Sequence, residues 1–222
     1  MFLRVGHRGA RAYELENTVE SFKKAIDLGA NAIELDLRRS KDGIIIVCHD
    51  DNLKRLFGKE ILVHKATLDE LKQSTENRIA TLEEVLRFID RKVDKILVEL
   101  KETGYEKKIL DMIRKERLEN NVIIVSFLAE CLTQVRSLNK DIETGLIYTK
   151  LRNPVEAAQK LGAQYLVPLY RFIHKKDVEK AHKYNLKVIV WTINTKEEAI
   201  KYIAKGVDGI ASDKPDIFKD II

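Results

Sequence analysis

Cysteine, proline and tryptophan are scarce in this chain, at two, three and one among 222 residues. Cys48 and Cys131 stand far apart with no Cys-x-x-Cys spacing. That excludes a disulfide framework or a zinc site and reads as two buried thiols in a reducing compartment. No apolar run approaches the roughly 20 residues that span a bilayer, so no transmembrane segment is expected. Leu3 to Gly6 already read as a strand, which leaves no room for a signal peptide before the fold and favours a cytoplasmic protein. The Gly-x-Gly-x-x-Gly fingerprint of dinucleotide-binding turns is missing, and no Gly-x-Ser-x-Gly elbow surrounds Ser126. Basic stripes interleaved with aromatics are also missing, which excludes a nucleic-acid footprint. The net charge is only +5, and the 34% of charged residues mix both signs, as on a solvated surface laced with ion pairs. Few Gln and Met beside many Lys, Glu and Ile are the composition of a thermophile. Nothing marks a linker, so residues 1–222 are expected to form one domain.

What is present is a regular alternation of short apolar runs and amphipathic helical stretches. Strands are expected at 2–6, 31–37, 95–100, 122–126, 143–147, 164–167, 187–191 and 207–210. Helices are expected at 17–28, 81–90, 105–116, 129–138, 154–161, 176–184, 196–205 and 215–222. Thr81 with Glu84 forms a capping box, and Pro154 opens a helix. Lys41-Asp42-Gly43 is a turn that returns Ile44 to Val47 as an extra extended segment. Residues 51–78 break the rhythm. They hold one short helix candidate, Leu68 to Gln73, and read as an excursion outside the core. Eight strands, each followed by a helix, predict an α/β fold of the (β/α)8 barrel type with a small insertion after the second strand. An open doubly wound sheet is the competitor, and the missing glycine-rich turn counts against it. The phrases LGANAIELD, LGAQYLVPL and KGVDGIASD echo one helix-to-strand unit three times.

The strand at 31–37 carries Glu34 and Asp36 in its middle. Strand side chains alternate, so both carboxylates share one face while Ile33, Leu35 and Leu37 take the other. Adjacent carboxylates resist burial unless a cation neutralises them. In a barrel of this type the reactive groups stand at the C-terminal ends of strands. Those ends supply His7-Arg8, Glu34 and Asp36, Glu99 and Lys101, Ser126-Phe127, Trp191-Thr192 and Ser212-Asp213, and the segment leading into the excursion gives His49. Glu34, Asp36 and Glu99 make an all-oxygen set suited to one divalent cation, Mg²⁺, Ca²⁺ or Mn²⁺, with coordination positions left open. Arg8 and Lys101 are the cations expected on a phosphate. His7 and His49 suit a general acid/base pair. Trp191 fits a plug of the barrel mouth and a substrate contact equally. Asp213 is expected to support a neighbour or cap the last helix, and His64, His174 and His182 to be exposed. Cations, two histidines and a metal-binding triad around a phosphate describe phosphodiester cleavage.

These residues resemble the glycerophosphodiester phosphodiesterase family over almost the whole chain. The resemblance rests on His7-Arg8, Glu34-Leu35-Asp36 and His49, and on the flanking phrases HRGAR at 7–11, ENT at 16–18, DG at 42–43, HD at 49–50, TLEEVL at 81–86, VELK at 98–101, SF at 126–127, WTIN at 191–194 and SDKP at 212–215. It implies a TIM barrel with a small inserted subdomain and metal-dependent hydrolysis of a small-molecule glycerophosphodiester to an alcohol and glycerol phosphate. It also implies an ion held by Glu34, Asp36 and Glu99, with His7 and His49 as the acid/base pair. Attack by water and attack by the glycerol 2-hydroxyl are both compatible with it, and a lysophospholipase D-type activity is the alternative. The chain departs from the family pattern at Leu15 and Ala80, where proline is usual, and in lacking the Gly- and Thr-rich run after His49-Asp50.

Overall fold

The computed structural model describes residues 1–221. In chain order, β1 (Leu3–Gly6) leads to α1 (Val19–Asp27), which Thr18 caps by accepting from the Ser21 amide. Then β2 (Ala32–Arg39) turns back into β3 (Ile45–Val47). The insertion contains α2 (Lys54–Phe57) and α3 (Leu68–Ser74) and ends in β4 (Ala80–Thr81). Regular alternation resumes with α4 (Leu82–Ile89), β5 (Lys95–Leu100), α5 (Glu106–Lys115), β6 (Val122–Ser126) and α6 (Ala129–Leu138). It continues through β7 (Glu143–Tyr148), α7 (Pro154–Leu161), β8 (Tyr165–Pro168), α8 (Lys175–Lys183), β9 (Lys187–Val190), α9 (Lys196–Ile203) and β10 (Gly209–Ser212).

The strands β1, β2, β5, β6, β7, β8, β9 and β10 are parallel and neighbour one another in that order. β1 then pairs with β10 on its other side, Leu3 opposite Gly209, as well as with β2, Val5 opposite Ala32. A strand paired on both sides at the two ends of the order closes the sheet, so this is the expected (β/α)8 barrel. Burial follows the period-two rule. Val5, Ala32, Leu97, Ile123, Val167 and Ile189 pack together inside the barrel. Ile33, Leu35 and Leu37 face outward and pack with Phe22, Leu86 and Ile109 of the helical layer.

Three expectations change. Residues 51–78 do not lie outside every core: Leu53, Val63 and Leu71 pack with Ile46, Cys48 and Ile79 into a small hydrophobic cluster. β3 and β4 extend the sheet antiparallel from the end of β2, so the excursion is rooted beside the barrel mouth. The expected closing helix at 215–222 is instead a single 3₁₀ turn, Pro215–Phe218, with Ile222 outside the described residues. Lys219 is already extended and Asp220 has φ 66°, which stops any helix. Finally, β10 runs on to Ser212, and its carbonyl receives the His7 amide at 2.9 Å. The last strand thereby sets the height of the first catalytic candidate.

Candidate active site

β1 ends on a turn that needs unusual backbone. Arg8 sits at φ 53° and Gly9 at φ 83°. A Cβ on Gly9 would fall 2.3 Å from Ser21 Oγ and 2.6 Å from the Ser21 carbonyl carbon. Only glycine lets α1 approach this closely. The turn aims the Arg8 amide at Glu34 Oε2, 2.8 Å away, and leaves His7 beside the same carboxylate, Nε2 to Oε2 4.0 Å.

Each histidine is pinned through Nδ1 by an aspartate. His7 Nδ1 lies 2.7 Å from Asp213 Oδ1, and Asn194 fixes that carboxylate by donating to Oδ2 at 2.8 Å and accepting from the Asp213 amide at 2.8 Å. His49 Nδ1 lies 2.7 Å from Asp50 Oδ1. Both aspartates are held below the ordinary carboxylate range, because the histidines, with Arg55 at Asp50 and Asn194 at Asp213, outweigh their partial burial. An ionised carboxylate can only accept, so each neutral ring carries its proton on Nδ1 and keeps Nε2 as a free acceptor. Burial lowers both histidines below their usual value despite these aspartates. Both rings are therefore neutral around pH 7.

Glu34, Asp36 and Glu99 converge from β2 and β5, each offering an oxygen within 4.8 Å of the others. Strand register causes this: Asp36 stands opposite Glu99, and Glu34 lies two residues back on the same inward face. All three are buried. Burial, then the neighbouring charges of Asp36 and Glu99, push Glu34 well up. Burial and Asp36 push Glu99 up to about 7 against the pull of Lys101. Asp36 goes the other way: although burial opposes its charge, Lys101 and Arg8 hold it low. Lys101 Nζ bonds Glu99 Oε1 at 2.6 Å and lies 2.8 Å from Asp36 Oδ1, while Arg8 Nε is 3.3 Å from Asp36 Oδ2. Glu34 Oε1 is buried and accepts no hydrogen bond among the described residues. An orphaned carboxylate oxygen in an all-oxygen set fits a hard divalent cation.

Seven of the eight candidates from the sequence, His7, Arg8, Glu34, His49, Glu99, Lys101 and Trp191, line one cavity of about 190 Å³ at the C-terminal mouth of the barrel. Asp36 lies beneath its wall, fully buried. Arg8 and Lys101, expected on a phosphate, meet carboxylates: Arg8 Nη1 donates to Glu16 Oε1 at 2.8 Å, and Lys101 bridges Asp36 and Glu99. Trp191 anchors its indole N–H on the Val167 carbonyl at 2.8 Å and takes Phe127 edge-on at 5.8 Å between centroids. It both lines the cavity and closes its apolar side, which Val125, Ile147, Val167 and Ile189 continue.

A model of the glycerophosphoryl diester phosphodiesterase family matches residues 7–217. The chain belongs to that family. A glycerophosphodiester phosphodiesterase of Caldanaerobacter subterraneus subsp. tengcongensis is 34% identical over 234 residues, covering 98% of this chain and 96% of that protein. The crystal structure of the Thermotoga maritima glycerophosphodiester phosphodiesterase superposes with TM-score 0.86 at 33% identity, covering 100% of this chain and 99% of that one. A phosphodiesterase of Oleispira antarctica, solved in complex with the product sn-glycerol-3-phosphate, superposes with TM-score 0.85 at 27% identity over 96% of this chain and 93% of that one.

Within this family frame, the sequence left several supporting residues without a role. Asn17, at φ 59°, clamps Asp36 by donating to Oδ2 at 2.8 Å and accepting from the Asp36 amide at 3.2 Å. Glu16 gathers Arg8 and Arg55, and Arg55 also donates to Asp50 Oδ2 at 2.6 Å. The phrases ENT and HD contain Glu16, Asn17 and Asp50, but Arg55 lies outside both, and the pairings join separate segments that only the folded chain brings together. No helix is long and apolar enough to cross a membrane among the described residues.

Proposed function

We propose that this chain hydrolyses glycerophosphodiesters to an alcohol and glycerol phosphate, with Glu34, Asp36 and Glu99 holding one divalent cation and His7 and His49 exchanging protons with the substrate. The observation that carries the reading is the convergence of a buried carboxylate triad with two aspartate-pinned histidines on one cavity. A bound Mg²⁺, Ca²⁺ or Mn²⁺ would neutralise the triad and draw electron density from a phosphoryl oxygen. The chain's own residues supply the rest. His7 Nε2 and His49 Nε2, both unprotonated around neutral pH, are the available proton acceptors. Whichever takes the nucleophile's proton, the other must enter the step as imidazolium and return its proton to the leaving oxygen. Arg8 and Lys101 add positive charge at the carboxylate end, where a phosphate would sit, and the walls of Val125, Ile147 and Trp191 exclude water on the other side.

The test is a panel of glycerophosphodiesters with different head groups, assayed for release of glycerol phosphate against several divalent ions. No release from any diester would overturn the hydrolytic reading, and full turnover in excess EDTA would overturn the metal requirement. A cyclic phosphate seen by ³¹P NMR during turnover would identify attack by the glycerol 2-hydroxyl, and its absence with rapid incorporation of solvent oxygen would identify water. A detergent-dispersed lysophospholipid in the same panel separates the lysophospholipase D-type alternative.

A further inference from the structure

The barrel mouth is chemically two-sided. Its β1, β2 and β5 side carries the carboxylates, histidines and cations described above. Its β6, β7 and β8 side carries exposed apolar side chains. Among the described residues nine large hydrophobic side chains are exposed, and four of them, Phe127, Leu128, Leu151 and Phe172, belong to the loops that leave the C-terminal ends of these three strands. The three strands are consecutive neighbours in the barrel. At about 4.8 Å between neighbouring strands, the roots of these loops lie within about 10 Å of one another. Exposed apolar residues scattered singly are ordinary, but several gathered at one mouth are not.

Charge accompanies them. Residues 149–153 after β7 read Thr-Lys-Leu-Arg-Asn and residues 169–174 after β8 read Leu-Tyr-Arg-Phe-Ile-His, with no carboxylate in either loop. Leu151 is flanked by Lys150 and Arg152, and Phe172 by Arg171, all exposed. Among the described residues none of these three cations forms an ion pair. Arg171 instead stacks over the Tyr170 ring, its carbon 5.5 Å from the centroid. Alternating apolar and cationic side chains on loop tips are suited to a broad surface that is apolar within and anionic at its face. That describes a bilayer containing acidic lipids: the apolar tips enter the boundary of the acyl region and the basic side chains meet the head groups.

We propose that the β6–β8 rim is an anionic-lipid docking surface that seats the barrel mouth against a membrane. Phe127 makes the rim continuous with the active-site cavity through its edge-on contact with Trp191. The docked orientation therefore turns the cavity toward the bilayer. Binding to lipid is separable from hydrolysis, so the proposal stands or falls independently of the hydrolytic reading.

The experiment is co-sedimentation of the full chain with sucrose-loaded vesicles of phosphatidylcholine alone, and of phosphatidylcholine mixed with phosphatidylglycerol. Binding to the mixed vesicles alone, weakening as salt is raised, is expected. Two triple variants are compared with the parent: Leu128→Ser with Leu151→Ser and Phe172→Ser, and Lys150→Glu with Arg152→Glu and Arg171→Glu. All six positions are exposed, Arg171 and Phe172 in the 3₁₀ turn Tyr170–Phe172 and the others in loops, and circular dichroism with a thermal melt establishes that each variant is folded. Each triple change should weaken partitioning onto the mixed vesicles by about tenfold or more. Equal binding to both vesicle types, no binding to either, or binding unaffected by the charge reversals would overturn the proposal. So would concentration-dependent dimerisation, seen by light scattering and abolished by the three serines, because the rim would then be an interface between two copies of the chain.

Discussion

Arg55 Nη2 donates to Glu16 Oε1 at 2.6 Å, tying the inserted segment to the loop that follows β1. The same guanidinium donates through Nε to Asp50, which pins His49, while Glu16 also receives Arg8. One planar fork thus joins the surroundings of His49 to those of Arg8. Arg55→Ala should lower kcat by about tenfold to a hundredfold, the range for residues that orient a catalytic group without touching substrate, with KM changed less. Arg55→Lys should restore little, because an ammonium cannot address two carboxylates in fixed geometry. Steady-state kinetics on folded variants check this, and an unchanged kcat in Arg55→Ala would remove the role.

Asp213 dictates which nitrogen of His7 bears the proton. In Asp213→Asn the amide can donate to Nδ1, which shifts the proton to Nε2 and blunts it as an acceptor. We expect kcat to fall by about a hundredfold or more. The bond between residues 7 and 213 would remain, so the melting temperature should change little. A kcat loss explained entirely by a lower melting temperature would contradict this.

Divalent cation and pH should be linked through Glu34 and Glu99. Burial, with the charge of Asp36, raises both, Glu99 to about 7. Between the ordinary carboxylate value of 4.5 and about 7, the folded ion-free protein therefore holds more protons than the unfolded chain, and these two groups cost it stability as pH rises. A cation must displace those protons, so its affinity should climb across the same window. At about 100 times its Kd an ion contributes about 2.7 kcal/mol, a rise of about 5–10 °C in Tm for a chain of this size. The Tm increment from Mg²⁺, Ca²⁺ or Mn²⁺ should grow from pH 5 to 7. Because it is a difference between two samples at one pH, the opposite titration of His7 and His49 largely cancels. Glu34→Gln should flatten it, and no increment with any ion would count against the triad as ligands.

Gly9 should tolerate no side chain. Its φ of 83° and the approach of Ser21 both act against a Cβ. Gly9→Ala should cost about 2–4 kcal/mol, combining a strained left-handed residue with displacement of α1. Chemical denaturation measures it directly. A variant of parental stability would mean that the turn after His7 rebuilds easily.

The barrel was legible because its signals are local. Ile33, Leu35 and Leu37 alternate with Glu34 and Asp36, and which side chains of β2 face inward follows from that pattern alone. Thr81 with Glu84 announced α4, and both halves of its capping box form. The carboxylate triad stood out because carboxylates are foreign to an apolar strand. What stayed hidden depends on distant pairing. α2 buries no side chain, so it leaves no apolar period, yet it delivers Arg55 to Glu16 across 39 positions of sequence. β4 is two residues long, too short for any pattern, and is held by pairing with β3. At the end of the chain, Ile217 and Phe218 are buried side by side in the outer core, and that packing takes precedence over the helix their neighbours favour.

β1 closes the sheet against β10, so the first and last strands are partners. The other strands of the barrel can pair as the chain emerges from the ribosome, but both contacts of β10, with β9 and with β1, wait for its own residues. His7 and Asp213, its hydrogen-bond partner, are separated by 206 positions of sequence. A nascent chain interrupted anywhere before β10 therefore exposes two unpaired strand edges and has no oriented His7. The orientation of His7 and protection from edge-to-edge aggregation therefore arrive together, with β10.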